Sequence, residues 1–214
     1  MGFPISDGTL AGDAKIDAYF QALRTTLRPM QVLGWYSVGV QSGALTLATA
    51  AGAIFSLRNA GSNLLIVRRI GVGFIATTAF TAAQRVDYGL IVARSFTVSD
   101  SGGTAIAVTG NSGKHRTTQA APTSMDCRIA TTGALTAGTK TLDSNQMGQN
   151  GAWVGAVGAG LAPSLNNLFS HDASDFPMVL AANEGFNIQN ITTMGIGGVG
   201  VAYVNVEFAE AAAY

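Results

Sequence analysis

Residues 62–98, SNLLIVRRIGVGFIATTAFTAAQRVDYGLIVARSFTV, decide the fold class. They read as two long strands joined by a short polar turn. In the first, Leu64-Leu65-Ile66-Val67 is apolar on both faces. Beyond it Ile70, Val72 and Phe74 alternate with Arg69, Gly71 and Gly73. In the second, Val86, Tyr88, Leu90, Val92, Phe96 and Val98 are expected to share one face. Asp87, Gly89, Ala93, Ser95 and Thr97 fall on the other, with Ile91 the exception. A period of two sustained this long marks strands with one face in a core. Two such strands in succession, each at the long end of the usual range, predict a sandwich or jelly roll rather than a small meander.

Arg68 and Arg94 interrupt the apolar faces of these strands. An unpaired buried guanidinium is very costly, so each has to reach an acid, the sandwich rim or another subunit. At a rim the stem packs while the head stays wet. Across a subunit boundary, the head meets the next chain.

On either side the chain divides in two. Residues 1–30 form an N-terminal arm, in which Asp13 caps a predicted helix over Ala14 to Leu27 and Pro29 stops it. Ile16, Tyr19, Phe20, Leu23 and Leu27 recur at three- and four-residue spacing on this helix. It is too short to be stable alone, so it docks on its own sandwich or on a neighbour. Residues 31–214 read as strands. Tyr36 to Val40, Leu45 to Leu47, Ala53 to Leu57, Thr104 to Val108, Asp126 to Thr131 and Gly200 to Phe208 join the long pair. Pro177 to Ala181 and Phe186 to Ile191 are expected to form a hairpin around Asn183-Glu184-Gly185. Gly110 to Pro122, with Lys114, His115 and Arg116, reads as an exposed loop. The glycine- and alanine-rich Leu135 to Ala162 reads as a long loop that makes contacts. Nine or ten strands without intervening helices predict an all-β, antiparallel, jelly-roll-like β-sandwich carrying an N-terminal helical arm.

Composition narrows the function. Of 214 residues, 48% are hydrophobic and only 11% charged, a thin charge cover that suits a surface meeting other protein. All 12 Lys and Arg lie within residues 1–140, beside six acids, while residues 141–214 hold six acids and no base. The two parts, +6 and −6, complement each other within one chain or between subunits. No basic cluster is interleaved with aromatics, which disfavours nucleic acid. No apolar run is long enough for a membrane span. A single cysteine, Cys127, forms no internal disulfide and reads as a small buried hydrophobe, in keeping with folding in a reducing cytoplasm.

The chemical candidates are thin. Gly195-Ile196-Gly197-Gly198-Val199-Gly200 matches the dinucleotide fingerprint, but a strand follows where that motif needs a helix. His171-Asp172-Ala173-Ser174-Asp175 lacks the spacing of a metal site and reads as a polar loop. No nucleophile elbow is present, and no acid pair is spaced for glycosidase work. The sequence therefore predicts no catalytic residues, no cofactor, no metal and no enzyme. A carbohydrate- or receptor-binding sandwich would need an aromatic platform from Trp35, Tyr36, Trp153 or Tyr203, each of which is more commonly core or interface.

Several strings resemble a group of tailed-bacteriophage virion structural proteins. They are Ala22-Leu23-Arg24-Thr25-Thr26-Leu27-Arg28-Pro29, Gly34-Trp35-Tyr36-Ser37-Val38-Gly39, Phe55-Ser56-Leu57-Arg58 and Ile66-Val67-Arg68-Arg69-Ile70. Gly138-Thr139-Lys140-Thr141-Leu142, the run from Pro177 to Phe186 and the closing Val204 to Glu210 look similar too. The likeness runs from about residue 20 to the end. It implies a non-enzymatic particle component, made in the host cytoplasm and carried in the virion. Head decoration (cement) proteins of this kind are β-rich homotrimers on the capsid exterior that bind the major capsid protein and bridge neighbouring capsomers. A tail or baseplate subunit fits the same resemblance. On this reading Tyr19, Phe20, Leu23, Arg24, Leu27 and Arg28 of the arm contact the shell or a neighbouring subunit. Arg68, Arg94, Glu184 and Glu207 form the candidate subunit interface, since a rim in the monomer becomes an interface in a trimer.

Overall fold

Antiparallel pairing accounts for every strand in the structure, a computed structural model that describes residues 32–46, 52–156, 166–171, 177–195 and 197–213. In chain order the strands are β1 Val32–Gln41, β2 Gly52–Asn59, β3 Leu64–Thr78, β4 Gln84–Arg94, β5 Thr104–Ile106 and β6 Met125–Ile129. They continue with β7 Thr141–Leu142, β8 Gly148–Val154, β9 Asn166–Ser170, β10 Met178–Leu180, β11 Gly185–Asn190 and β12 Val199–Ala211. A five-stranded sheet runs β1-β12-β3-β10, with β9 also on β3. A seven-stranded sheet runs β5-β6-β2-β11-β4-β7, with β8 also on β4. The protein is thus all-β, a sandwich of two antiparallel sheets. The predicted helix and the arm residues Tyr19, Phe20, Leu23, Arg24, Leu27 and Arg28 lie outside the described residues.

One core joins the two sheets. Val67, Ile70, Val72 and Phe74 of β3 and Val204, Val206 and Phe208 of β12 share it with Phe55 and Leu57 of β2, Leu90 and Val92 of β4, and Phe186 and Ile188 of β11. Tyr36 stacks on Phe208 at 5.3 Å and Phe55 on Phe186 at 6.0 Å. Each of these phenylalanines is fully buried, a contribution of about 2 kcal/mol apiece from area removed from water. The last strand alternates in burial: Ala202, Val204, Val206 and Phe208 are buried, while Asn205 is exposed and Tyr203 and Glu207 half-exposed.

The chain crosses between the sheets at each of two adjoining corners. From β2 it passes through residues 60–63 to β3 in the other sheet, and from β10 it returns through residues 181–184 to β11. The expected hairpin over 177–191 is therefore a crossover. Strand β10 pairs with β3, and β11 lies between β2 and β4. Asn59 ties the two corners together. Its side-chain nitrogen donates to Asn63 O (2.6 Å) and Leu180 O (2.9 Å), and its Oδ1 accepts from Gly61 N. Its backbone N donates to Glu184 O, and its backbone O accepts from Asn183 N. Asn183 itself sits at φ 61, a left-handed conformation that asparagine tolerates better than most residues.

Two sequence expectations fail for local reasons. Strand β4 stops at Arg94 because Ser95 turns left-handed, at φ 51. Phe96 is then buried against Gly185 and Lys140 instead of continuing the inner row, and Val98 is exposed. The segment read as a long loop after Leu135 contains β7 and β8. Strand β8 (GQNGAWV) has no apolar alternation. It is held by backbone pairing along β4 from Gln84↔Val154 to Leu90↔Gly148.

Candidate interaction surfaces

On the outer face of the five-stranded sheet, pairing lines up Trp35, Ala209, Ile66 and Val179 in one row across four strands. These residues, with Val32 and Ala211, form a second apolar cluster separate from the core. Two rows along, Gly39, Asn205 and Gly71 lie side by side, which keeps the face flat. Between them Arg68 finds its explanation. Glu207 pairs with Arg69 and Phe208 with Val67, so Arg68 is the extra residue of a β-bulge. The bulge lets Arg68 and Arg69 both stay exposed while Val67 and Ile70 both stay in the core. Arg68 meets Glu207 at 3.5 Å. The free edge of β1 is covered by residues 113–120. Ser37 N donates to Gly113 O and His115 N to Trp35 O, Ser37 Oγ lies 2.6 Å from His115 Nε2, and Tyr36 OH donates to Ala120 O. The stretch expected as an exposed loop therefore also blocks a sheet edge.

The outer face of the seven-stranded sheet is roofed. Residues 96–103 and 135–140 cross it antiparallel to each other, joined at Ser101↔Thr136. Arg58 Nη1 donates to Ser99 Oγ (3.0 Å) and Arg128 Nη1 to Gly102 O. Ser99 Oγ in turn bonds Asp126, which lies 3.8 Å from Arg58. Under this roof Asp100 and Lys140 form an ion pair with side chains 0% and 4% exposed. Asp100 Oδ1 also accepts from Gly138 N. With its amide turned to satisfy both ends, Asn187 accepts from Lys140 Nζ at 2.9 Å and donates to Phe186 O. The Phe96 ring lies 4.5 Å from Nζ. The ammonium thus has a carboxylate, an amide and a ring around it. Burial lowers the Lys140 pKa below its ordinary value, against the raising effect of Asp100.

At the sandwich rim, Arg94 donates to Glu184 at 2.6 Å and approaches Asp143 at 3.5 Å. The four residues proposed for a subunit interface are therefore paired within one chain, Arg68 with Glu207 and Arg94 with Glu184. Both arginines lie in the basic part of the sequence and all three acids in the acidic part. The charge asymmetry is met by contacts inside the molecule at these points. Glu210, a further acid of the C-terminal part, is buried at the end of β12. Burial pushes its pKa up, but hydrogen bonds from the Asn63 side chain and from the backbone and hydroxyl of Thr123 outweigh it and leave the pKa below the usual carboxylate value.

The sequence's chemical motifs resolve into packing. In the dinucleotide-like run, a side chain at Gly198 would strike the Phe80 ring and one at Gly200 the Phe74 ring, and β12 begins at Val199. His171 stacks beside Phe169, with ring centroids 6.1 Å apart, while Asp172 to Asp175 lie outside the described residues. Among the described residues no three His, Cys, Asp or Glu side chains are grouped to hold a metal ion. Cys127 is buried as expected, which together with Asp126 raises its thiol pKa far above the ordinary value. Of the four aromatic candidates, Tyr36 is core, Trp35 and Tyr203 are half-buried, and Trp153 is 72% exposed. Trp153 borders an open concavity of about 410 Å³ with Arg85, Asp87, Gln149, Asn150, Gly151 and Ala152. Sequence reasoning named Trp153 but gave no reason to prefer it, because nothing in GQNGAWV tells which face of β8 is covered.

No known protein family, curated protein or solved structure matches this chain.

Proposed function

We propose that this chain is a non-enzymatic structural protein of a tailed-bacteriophage particle, a cement protein on the outer capsid surface that bridges neighbouring capsomers as a homotrimer. The observation that carries the reading is the outer face of the five-stranded sheet. The half-buried Trp35 and Val179, flanking the buried Ala209 and Ile66 in one row beside the Gly39, Asn205 and Gly71 row, suit close packing against another protein surface. The resemblance to phage virion proteins supports the same assignment. The strand order is compatible with a jelly roll, in which β1-β12-β3 with β9 and β10 face β2-β11-β4 with β7 and β8, and β5-β6 extend the second sheet. Such folds serve many functions, so the order supports the architecture and not by itself the role. The partners on this reading are further copies of the chain and the major capsid protein, with no cofactor, nucleic acid or membrane. The arm, residues 1–29, supplies the capsid contact, and three arms acting together make modest single contacts hold.

Quantitative peptide mass spectrometry of purified virions tests the assignment. Copy number comparable to that of the shell protein is the expected result. A handful of copies would make the chain a tail or baseplate subunit, and absence from the particle would overturn the virion reading. Deleting residues 1–29 is expected to leave a folded sandwich that no longer decorates capsids.

A further inference from the structure

We propose that the concavity beside Trp153 is a binding site for a pyranose ring of a glycan, a recognition function separate from any structural role of the sandwich. The site is built on paired strands. Trp153 of β8 stands opposite Arg85 of β4, and Gly151 opposite Asp87, on the outer face of the seven-stranded sheet beyond its roof. Among the described residues no ring or cation stacks on the exposed indole. A flat aromatic surface left open in this way suits the C–H face of a sugar, which is apolar at its centre and polar around its rim.

Polar groups converge beside the indole. Asp87 is buried, its side chain 2% exposed, and it bonds Arg85 Nε at 2.7 Å and Thr192 Oγ1 at 2.8 Å. A side chain at residue 151 would collide with Asp87 Oδ1, so the glycine makes room for the carboxylate beneath β8. Asp87 therefore acts as a positioning residue. It fixes Arg85 through Nε, so that the terminal guanidinium nitrogens and the exposed Gln149 amide supply donors and an acceptor at the mouth of the concavity. The ion pair decides the class of ligand. With Arg85 neutralised by a buried carboxylate, the site carries no net charge, which disfavours phosphate or a nucleic-acid backbone and favours a neutral, hydroxyl-rich ring.

Titration of the full-length protein with methyl pyranosides of glucose, galactose, mannose and N-acetylglucosamine, followed by tryptophan fluorescence and on a glycan array, tests this. A saturable shift with at least one sugar is expected, at up to about 10 mM ligand, a range that registers weak single-site binding. W153A is expected to abolish it and W153F to retain part of it, while Q149A and R85K each weaken it about tenfold. Trp153 and Gln149 are exposed, so unchanged circular dichroism is expected to show that W153A and Q149A fold. Absence of binding to every sugar would overturn the proposal, as would binding that survives W153A. A change in oligomer size on W153A without any sugar response would overturn it as well, and would assign Trp153 to contact between copies. The titration uses free protein, so its result is independent of copy number in virions.

Discussion

The two sheets meet the core in the same way and treat their outer faces in opposite ways. In the five-stranded sheet the outward Tyr203, Asn205 and Glu207 of β12 and Arg68 and Arg69 of β3 reach solvent, where Arg68 pairs with Glu207, while the outward Ile66, Ala209 and Ala211 are buried in an apolar cluster. In the seven-stranded sheet every residue of β11 is buried, and so is every residue of β2 except the half-buried Arg58. The polar Ser56, Asn187 and Gln189 are buried there, and Asn187 meets Lys140 beneath the crossing segments. The same alternating sequence signal therefore produces a wet face on one sheet and a buried polar layer on the other. The difference lies in the connections. The chain must travel from β4 to β5, at opposite sides of β11 and β2, and it does so over the outer face of that sheet.

The sharpest break of this comparison is D100A. It leaves Lys140 buried without its carboxylate, and we expect a loss of about 3 kcal/mol in urea unfolding. A loss under 1 kcal/mol would mean that the roof opens readily and that the two faces are energetically alike. Next comes N59A at the shared corner, which strips hydrogen-bond partners from Leu180, Asn63 and Gly61. A destabilisation of about 2 kcal/mol is expected from the same measurement. Third, Glu210 has a folded-state pKa below its unfolded value, so its contribution is present above about pH 4 and is lost as pH falls through the folded pKa. E210Q is expected to flatten the acid limb of a stability-against-pH curve relative to wild type. An unchanged limb would place the acid sensitivity elsewhere. Smallest is R68A on the outer face of the five-stranded sheet. The pair it breaks is half-exposed, and the expected change is about 0.5 kcal/mol or less, declining further with salt. A double-mutant cycle with E207A measures it, and a coupling above 1 kcal/mol would show that the open face is less open than its exposure suggests.

How much of this was legible in the sequence depends on where the physics is local. The inward rows of β3 and β4, Ile70, Val72 and Phe74 on one and Val86, Tyr88, Leu90 and Val92 on the other, could be read directly, because burial on one face imposes a period of two. Arg68 looked like an error in that period. It marks a bulge, which adds one residue and leaves the pattern on either side correct but out of step. Phe96 continued the period yet left the core, since one left-handed residue, Ser95, redirects the chain and nothing in the alternation reports it. Asn59-Ala60-Gly61 is made of turn residues, but they do not tell a turn between sheets from a hairpin, because a crossover and a hairpin use the same ones. Arg94, Glu184 and Asp143 converge from three distant segments, so their pairing depends on topology. At the candidate glycan site the sequence supplied Trp153. The buried Asp87 that aims Arg85 became visible only once β8 was laid against β4.

The crossovers have a consequence for how the molecule comes into being. Apart from β5 with β6, no strand among those described pairs with its neighbour in sequence, and the centre of the five-stranded sheet is β12 between β1 and β3. Few small, locally closed units can form and wait for the rest. Loop closure must be paid for before most pairings return anything, which places such a chain among slow folders, on the scale of milliseconds to seconds. On the ribosome, β1 and β3 emerge with their shared edges empty and stay so until residues 199–211 are synthesised. The five-stranded sheet is therefore completed only after translation has passed its last strand, and until then its edges are open to other nascent copies of the same chain.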